Sequence, residues 1–310
     1  MSIDPKLTII ANPRAGRGRH ADVLARVRAR LEASSTDAEF FISTSAAHAE
    51  RVATDAARKG RTIVACGGDG HVGRLAGVAT RQAVSFGIIP TGAGNDFAAE
   101  FDLSISRLDT VVNTLTSNNI RRVDMGVVGK HLFCGVAGCG FSSEANKWAN
   151  DQRWLSGTAL YVASVLKTLA TYRPRPIRLT VDGDMIETAA WLVAIANGRA
   201  LGGGMCIAPD AAIDDGLLDI VIVGPVSRFE FLYTFPKVFK GTHVDHPQVT
   251  LYRGARIDIE QPDEAAPLAI FADGERAGEL PNRFEAMAKC LQLLTPPAEN
   301  SPTSRPNPLP

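Results

Sequence analysis

A carboxylate set among three glycines is the most chemically suggestive feature of the sequence. Gly67, Gly68, Asp69 and Gly70 follow Thr62–Cys66, an apolar, β-branched run that is typical of a buried parallel strand. Glycines carry no Cβ, so the backbone amides of such a turn can approach a ligand closely. A strand, a glycine turn and the start of a helix together form the geometry that holds phosphate. The pattern therefore predicts a phosphate-binding loop.

The carboxylate of Asp69 is unusual in such a loop, because it repels bare phosphate. We expect it to orient a metal ion, an amide or a hydroxyl group. The alternative interpretation is a plain strand-to-helix turn in which Asp69 is the N-cap of the following helix.

Composition narrows the class of protein. The chain has 310 residues, enough for two domains, and equal numbers of basic and acidic residues, 33 of each, so no overall positive field favours nucleic acid. Its apolar runs, such as Ala189–Ala196, are shorter than the ~20 residues of a spanning helix. Because the N-terminus lacks a signal pattern and the five cysteines are scattered, we expect a cytoplasmic protein with free thiols.

Strands alternate with helices through residues 1–123, which predicts an α/β domain with a mostly parallel sheet. The predicted strands are Lys6–Ala11, Ala38–Ser43, Thr62–Cys66 and Phe86–Pro90, and the predicted helices are Ala21–Leu31, Ala46–Arg58 and His71–Thr80. Glycine- or proline-bearing turns follow three of these strands, at the edge where open α/β sheets bind ligands.

Residues 124–284 show a different pattern, with short strands separated by polar and glycine turns, and we expect a β-rich second domain with antiparallel strands. The predicted strands are Asp124–Val128, His131–Cys139, Ile177–Val181, Ala189–Ala196, Leu217–Val223, Gln248–Tyr252, Arg256–Glu260 and Leu268–Ala272, with helices at Thr158–Tyr172 and Arg228–Phe239. Residues 285–295 are predicted to return to the first domain, and 296–310 to form a disordered tail.

Several motifs follow one another in a specific order: Asn12–Gly16, Gly67–Gly70, Pro90–Phe97, Ala208–Asp219 and Asp273–Glu275. Their order and spacing resemble the diacylglycerol kinase catalytic family, which includes bacterial lipid kinases and sphingosine kinases, over almost the whole chain. The resemblance implies an α/β nucleotide-binding domain of the NAD-kinase and diacylglycerol-kinase type, joined to a β-sandwich-like domain, with the active site in the cleft between them.

The resemblance also implies an activity, the transfer of the γ-phosphoryl group of Mg-ATP to a lipid hydroxyl. The implied ATP-binding residues are Asn12, Pro13, Arg14, Ala15, Gly16, Thr44, Gly67, Gly68, Asp69, Gly70, His71, Ala93, Asn95 and Asp96. Glu275 matches the family's proton acceptor, and Asp273 and Asp69 complete the candidate catalytic set. A structural Mg²⁺ site is implied at Asp215 through its side chain and at Ala212 and Leu217 through their backbone carbonyls.

The residues themselves support this chemistry, because phosphoryl transfer needs mainly positioning and charge neutralisation. Asp273 and Glu275 are two positions apart on one turn, so both can face one site. The simpler alternative is that this turn only closes a β-hairpin. Likewise, Asp214–Asp219 is either a hard-cation site or a solvated acidic turn, and Gly202–Gly204 is either a flexible loop or part of a substrate rim.

The sequence departs from the family where phosphate should bind. The position after the glycine-aspartate loop is usually Thr but here is His71, the following Asn-Glu is replaced by Gly73 and Arg74, and the hydroxyl of the third loop is lost at Ala93. We expect the His71 imidazole to donate a hydrogen bond to phosphate and Arg74 to add positive charge. Two alternatives remain open: a degenerate nucleotide- or lipid-binding protein, and a kinase for a small soluble alcohol.

The partners implied are ATP and a lipid alcohol, with transient contact to the inner face of a membrane, no nucleic acid and an open possibility of a homodimer. The membrane contact could come from the basic residues Arg14, Arg17 and Arg19 or from the aromatic residues Trp148, Trp154 and Tyr161. The alternatives are a solvated basic turn for the first group and core packing for the second.

Overall fold

The protein is described by a computed structural model that covers residues 5–18, 20–151, 163–164, 167–262 and 266–297. The chain divides into two compact units. The first contains the described residues up to Met125 and the segment that starts at Ala288, and the second contains Gly126–Met287.

The first unit is built on a parallel sheet with the strand order β2-β1-β3-β4, to which the end of β16 is added beside β4. Its strands are β1 (Leu7–Ala11), β2 (Ala38–Ile42), β3 (Thr62–Gly67) and β4 (Ser85–Pro90), and its helices are α1 (His20–Ala33), α2 (Ala46–Arg58), α3 (Asp69–Gln82), α4 (Asp96–Ala99) and α5 (Leu108–Thr116). The predicted alternation of strands and helices is confirmed, and α5 is an addition that the sequence analysis missed.

Burial explains why these strands read as continuous apolar runs. Every residue of β1 is buried, and β3 and β4 are buried at all positions except the first. Strands covered on both faces do not alternate between apolar and polar residues. The register then sets the site, because Ala11 pairs with both Ile42 and Cys66, and Gly67 pairs with Pro90. The turns after all four strands therefore leave the sheet at one edge.

The second unit is a β-sandwich, as the resemblance implied. One sheet has the order β12-β11-β10-β7-β14-β15, and the other contains the start of β16 followed by β13, β8 and β9, all antiparallel. The strands are β5 (Ile120–Val128), β6 (His131–Phe133), β7 (Val136–Gly140), β8 (Arg175–Val181), β9 (Asp184–Ala190), β10 (Leu192–Ala196), β11 (Leu218–Val223), β12 (Val249–Gly254), β13 (Arg256–Glu260), β14 (Ala269–Ala272), β15 (Glu275–Glu279) and β16 (Asn282–Leu294). Side chains from both sheets, among them Ile195, Ile220, Ile259 and Phe284, share one buried core.

Several predicted elements differ from the observed ones. The expected strand His131–Cys139 breaks at Cys134 and Gly135, and Ala189–Ala196 breaks at Trp191. The predicted helix Arg228–Phe239 is a short α-helix, α7 (Arg228–Thr234), followed by the 3-10 helix Phe235–Lys240. The unit also contains α6 (Phe141–Asp151).

Parts of the predictions lie outside the described residues: residues 158–162 and 165–166 of the predicted helix Thr158–Tyr172, including Tyr161, as well as Trp154 and residues 298–310. All five cysteines are free thiols, and Cys66, Cys134 and Cys139 are buried, as expected. In the described part of the chain, no helix is both long enough and apolar enough to cross a membrane.

Candidate active site

The turn after β1 is fixed by hydrogen bonds around Asn12. Its amide donates to the Cys66 carbonyl at 2.9 Å, which ties the turn to the end of β3. Its side-chain oxygen accepts from the Arg14 amide at 3.0 Å, and its carbonyl accepts from the Ala15 amide at 3.1 Å. The Asn-Pro turn is therefore held beside the glycine-aspartate loop, with Pro13 inside the turn and the Gly16 backbone at a positive φ of 62°.

The loops after β3 and β4 meet backbone to backbone at Gly68 and Gly92. A Cβ added to Gly92 would lie 2.4 Å from the Cα of Gly68, and one added to Gly68 would lie 3.1 Å from the Cα of Gly92. The Thr91 amide also donates to the Gly67 carbonyl at 3.0 Å. Gly92 thus requires glycine because of this close approach, a Cβ at Gly68 would be tight, and the two loops form one continuous surface.

Asp69 joins the same two loops through its side chain. One carboxylate oxygen accepts from the Asn95 amide at 2.8 Å, and the other accepts from the Phe97 amide at 3.2 Å. Burial raises the pKa of the Asp69 carboxyl, while the hydrogen bonds from Phe97 and Asn95 act to lower it. The sequence left a metal ion, an amide or a hydroxyl group as partners for Asp69, and in the structure the partners are backbone amides. Gly68, not Asp69, is the N-cap of α3.

The loop after β4 is closed by Asn95. Its side-chain oxygen accepts from the Gly92 amide at 2.7 Å, and its amide group donates to the Gly92 carbonyl at 3.0 Å. Asn95 itself has a left-handed backbone with φ of 61°, which Asn tolerates better than most residues. Ala93 is exposed at the tip of this loop, and Asp96 is buried at the start of α4.

His71 does not take the role expected of it. Its Nε2 atom donates to the Ile10 carbonyl at 2.9 Å, and the ring lies directly beneath Gly67, where an added Cβ would be 2.7 Å from a ring carbon. Burial lowers the pKa of His71, and the nearby Arg74 charge acts in the same direction. The imidazole is therefore a neutral group inside the unit that supports the loop from below. The expectation that it donates to phosphate is corrected for this reason.

Two further candidates in the first unit have partners on α2. Arg74 forms an ion pair with Glu50 at 2.8 Å, so its charge is compensated within the unit and the expectation of added positive charge is corrected. Thr44 is exposed at the end of β2, where its amide donates to His48 Nδ1 at 3.1 Å. Thr44 thus stays at the same sheet edge as the other loops.

The predicted Asp-Gly-Glu motif forms a hairpin turn, and Asp273 has a structural role in it. Asp273 and Gly274 both have positive φ, 48° and 80°, and connect β14 to β15. The Asp273 carboxylate accepts from the Cys134 amide at 2.8 Å and the Gly135 amide at 2.9 Å. These bonds break the strand expected at 131–139. Asp273 is corrected from a catalytic to a positioning residue, because both oxygens hold backbone.

Sequence reasoning missed Asn197, which holds the same turn. Its side-chain amide donates to the Cys134 carbonyl at 2.8 Å, and its backbone amide donates to the Gly135 carbonyl, also at 2.8 Å. The available signal was a polar residue and a glycine directly after the apolar strand β10, the same pattern that marked the other turns. Glu275 follows the Asp273-Gly274 turn as the first residue of β15 and is exposed.

Comparison with known proteins decides the family. Residues 6–128 match the diacylglycerol kinase catalytic domain, and residues 135–295 match the YegS C-terminal NAD kinase beta sandwich-like domain. A diacylglycerol kinase of Mycobacterium tuberculosis is 33% identical over 94% of this chain and 95% of its own length. The chain belongs to the diacylglycerol kinase family. It is a kinase.

Two proteins of lower sequence identity are also similar to this kinase over almost its whole length. A diacylglycerol kinase of Bacillus subtilis is 25% identical over 93% of this chain and 95% of its own length. The crystal structure of a diacylglycerol kinase from Bacillus anthracis aligns with a TM-score of 0.74 at 21% identity, covering 96% of this chain and 99% of that one. This second likeness shows the shared fold.

The structural Mg²⁺ site implied by the family does not fit the residues as they are arranged in this kinase. One oxygen of Asp215 accepts from the Leu217 amide at 3.0 Å, and the other forms an ion pair with Arg253. Arg253 also pairs with Asp219 at 3.0 Å. Ala212 and Leu217 lie in the same turn, but the Arg253 guanidinium occupies the side of the Asp215 carboxylate that would bind the ion. No cluster of three or more acidic, His or Cys side chains fit for a metal occurs among the described residues.

Gly92→Ala should weaken ATP binding, because the new Cβ would collide with the backbone at Gly68 and with the Asn95 side chain. We expect a loss of stability on the order of 1–3 kcal/mol and separation of the two loops. Calorimetric titration with a non-hydrolysable ATP analogue measures the effect. Ala99→Ser, at an exposed position of α4 outside the predicted ATP-binding set, is the control and should bind normally. Equal affinity of the Gly92 variant would contradict the close contact.

Folding stability should fall as pH drops below the ordinary His pKa of 6.5, because His71 resists protonation in the folded state whereas the unfolded chain accepts the proton. Buried His243, whose pKa is also lowered, adds a term of the same sign. Each contributes at most about 1.4 kcal/mol per pH unit. Melting temperatures at about pH 7.5 and pH 5.5 should differ less in His71→Gln than in the native protein. An unchanged difference would mean that His71 titrates normally.

Melting in EDTA and in Mg²⁺ tests the role of Arg253. The native protein should melt at the same temperature in both, since Arg253 already forms ion pairs with Asp215 and the buried Asp219. Arg253→Ala should melt lower and gain stability from added Mg²⁺, because it leaves two adjacent carboxylates without their cation. Arg256→Ala, which removes a more exposed arginine, is the control. A native protein that melts at a lower temperature in EDTA than in Mg²⁺ would show that these residues bind the ion after all.

Proposed function

We propose that the kinase transfers the γ-phosphoryl group of Mg-ATP to the hydroxyl of a membrane lipid such as a diacylglycerol. The observation that carries this proposal is the fusion of the loops after β3 and β4 through Gly68, Gly92 and the carboxylate of Asp69. Together with the turn at Asn12, they form one backbone surface at the edge of the parallel sheet where its strands end. That arrangement suits the phosphates of a nucleotide.

The division of labour follows from the chemistry of phosphoryl transfer. The ATP-binding set of the first unit would hold the nucleotide by its amides, and the Mg²⁺ that accompanies ATP would neutralise the phosphate charge. Asp69 serves by fixing the two loops in place. This assignment accommodates Ala93 and His71, since the amides of the loops do the binding without a threonine hydroxyl.

Glu275 is the proposed proton acceptor for the lipid hydroxyl. It is exposed at the start of β15, directly after the Asp273-Gly274 turn, and the Asp273 carboxylate ties that turn to the Cys134 and Gly135 amides. A carboxylate on a rigid turn can take a hydroxyl proton as the hydroxyl attacks phosphorus. The likeness to diacylglycerol kinases, which extends over both units, favours a lipid acceptor over a small soluble alcohol.

Glu275→Gln should lower turnover by about 10²–10⁴-fold, the range for loss of a general base, while ATP binding stays normal. The measurement is transfer of labelled phosphate from Mg-ATP to diacylglycerol and to other lipid alcohols in mixed micelles. Glu279→Gln changes another exposed glutamate on the same strand and serves as the control. Full activity in Glu275→Gln would remove its role, and transfer to soluble alcohols alone would overturn the lipid assignment.

A further inference from the structure

The helix α7 and the 3-10 turn after it expose an unusual number of large apolar side chains. Phe229 is 87% exposed, Tyr233 76%, Leu232 45% and Phe239 43%. We name these four residues the aromatic patch. Phe229, Leu232 and Tyr233 are spaced i, i+3 and i+4, so they lie on one face of α7. Contiguous exposed apolar surface of this kind marks an interaction site.

The opposite face of the same segment packs against the protein core. Phe231 packs against Phe141 and Trp191 with ring centroids 4.8 and 5.1 Å away, and it stacks with Phe235 at 6.2 Å. The Trp191 indole also donates to the Val226 carbonyl at 3.0 Å, which anchors the chain just before α7. The segment cannot rotate to bury the aromatic patch without emptying this core. Its outward face is therefore fixed.

Basic residues surround the aromatic patch. Arg228, Lys237 and Lys240 are all exposed, and Lys237 lies over the ring of Tyr233 at 5.3 Å. The one acidic residue between Ser227 and Lys240 is Glu230, which is paired with His246 and caps the start of α7. The chain as a whole has no net charge, so this segment is a local excess of positive charge.

Aromatic side chains flanked by lysine and arginine match the interface of an anionic bilayer, where rings enter the headgroup region and cations face lipid phosphates. We propose that residues 228–240 dock this kinase on an anionic lipid surface, with Phe229 and Tyr233 inserted into it. The inference rests on the proposed function in one respect: a lipid acceptor is reached at a membrane. It assigns the contact to a segment that the sequence analysis interpreted only as a helix.

Vesicle sedimentation tests the docking surface directly. The native protein should bind vesicles of phosphatidylcholine mixed with phosphatidylglycerol, and bind pure phosphatidylcholine more weakly. The double variant Phe229→Ser, Tyr233→Ser and the double variant Lys237→Glu, Lys240→Glu should each bind the mixed vesicles at least about tenfold more weakly. The matched controls are Met185→Ser, which removes another large apolar side chain that is 66% exposed, and Lys130→Glu, which changes an exposed lysine of the same unit.

Activity with two forms of acceptor separates this inference from the proposed function. The aromatic double variant should phosphorylate a short-chain diacylglycerol dissolved as monomers at the native rate, but lose activity toward acceptor in vesicles. A native protein that binds vesicles but phosphorylates neither form of the acceptor would contradict the proposed function and would not contradict the docking surface. Native-like vesicle binding by the aromatic variant would overturn the docking surface.

Discussion

The contact between Gly68 and Gly92 is the constraint on which the rest of the first unit depends. A Cβ at Gly92 would collide with the backbone of Gly68, and one at Gly68 would be tight. The Asp69 carboxylate then accepts hydrogen bonds from the amides of Asn95 and Phe97 in the loop after β4. The parallel register of β3 and β4 brings the loops to one edge. The buried imidazole of His71 supports them from beneath through the Ile10 carbonyl.

The second unit uses the same device for a different purpose. Asp273 also accepts two backbone amides, and it holds the turn at Cys134 and Gly135 rather than facing a substrate. In both units an aspartate beside a glycine fixes one loop onto another. The Asp273 carboxylate is satisfied by the hydrogen bonds that it accepts from two amides, whereas Glu275 on the same hairpin is exposed, which is why we propose Glu275 as the proton acceptor.

The fold and the location of the loops could be predicted from the sequence because their signals are local. Apolar runs followed by glycine turns identified β1, β3 and β4, and motif order identified the family. The misassigned side chains share a different property: their partners are distant in the chain. His71 bonds Ile10, Arg74 pairs with Glu50, Asp273 bonds Cys134, and Asp215 pairs with Arg253. No local pattern reports such pairings, and the exposure of Phe229 likewise depends on which face of α7 the core takes.

The affinity of the folded Asp69→Ala variant for a non-hydrolysable Mg-ATP analogue tests the central claim most directly. The amides of Asn95 and Phe97 would lose their acceptor, so the loop after β4 should no longer be held against the loop after β3. Hydrogen bonds to charged groups contribute about 1.5–3 kcal/mol each, so binding should weaken by about tenfold or more. Asp69→Asn, which keeps one acceptor, should fall between the two. Native affinity in a folded Asp69→Ala protein would contradict the account.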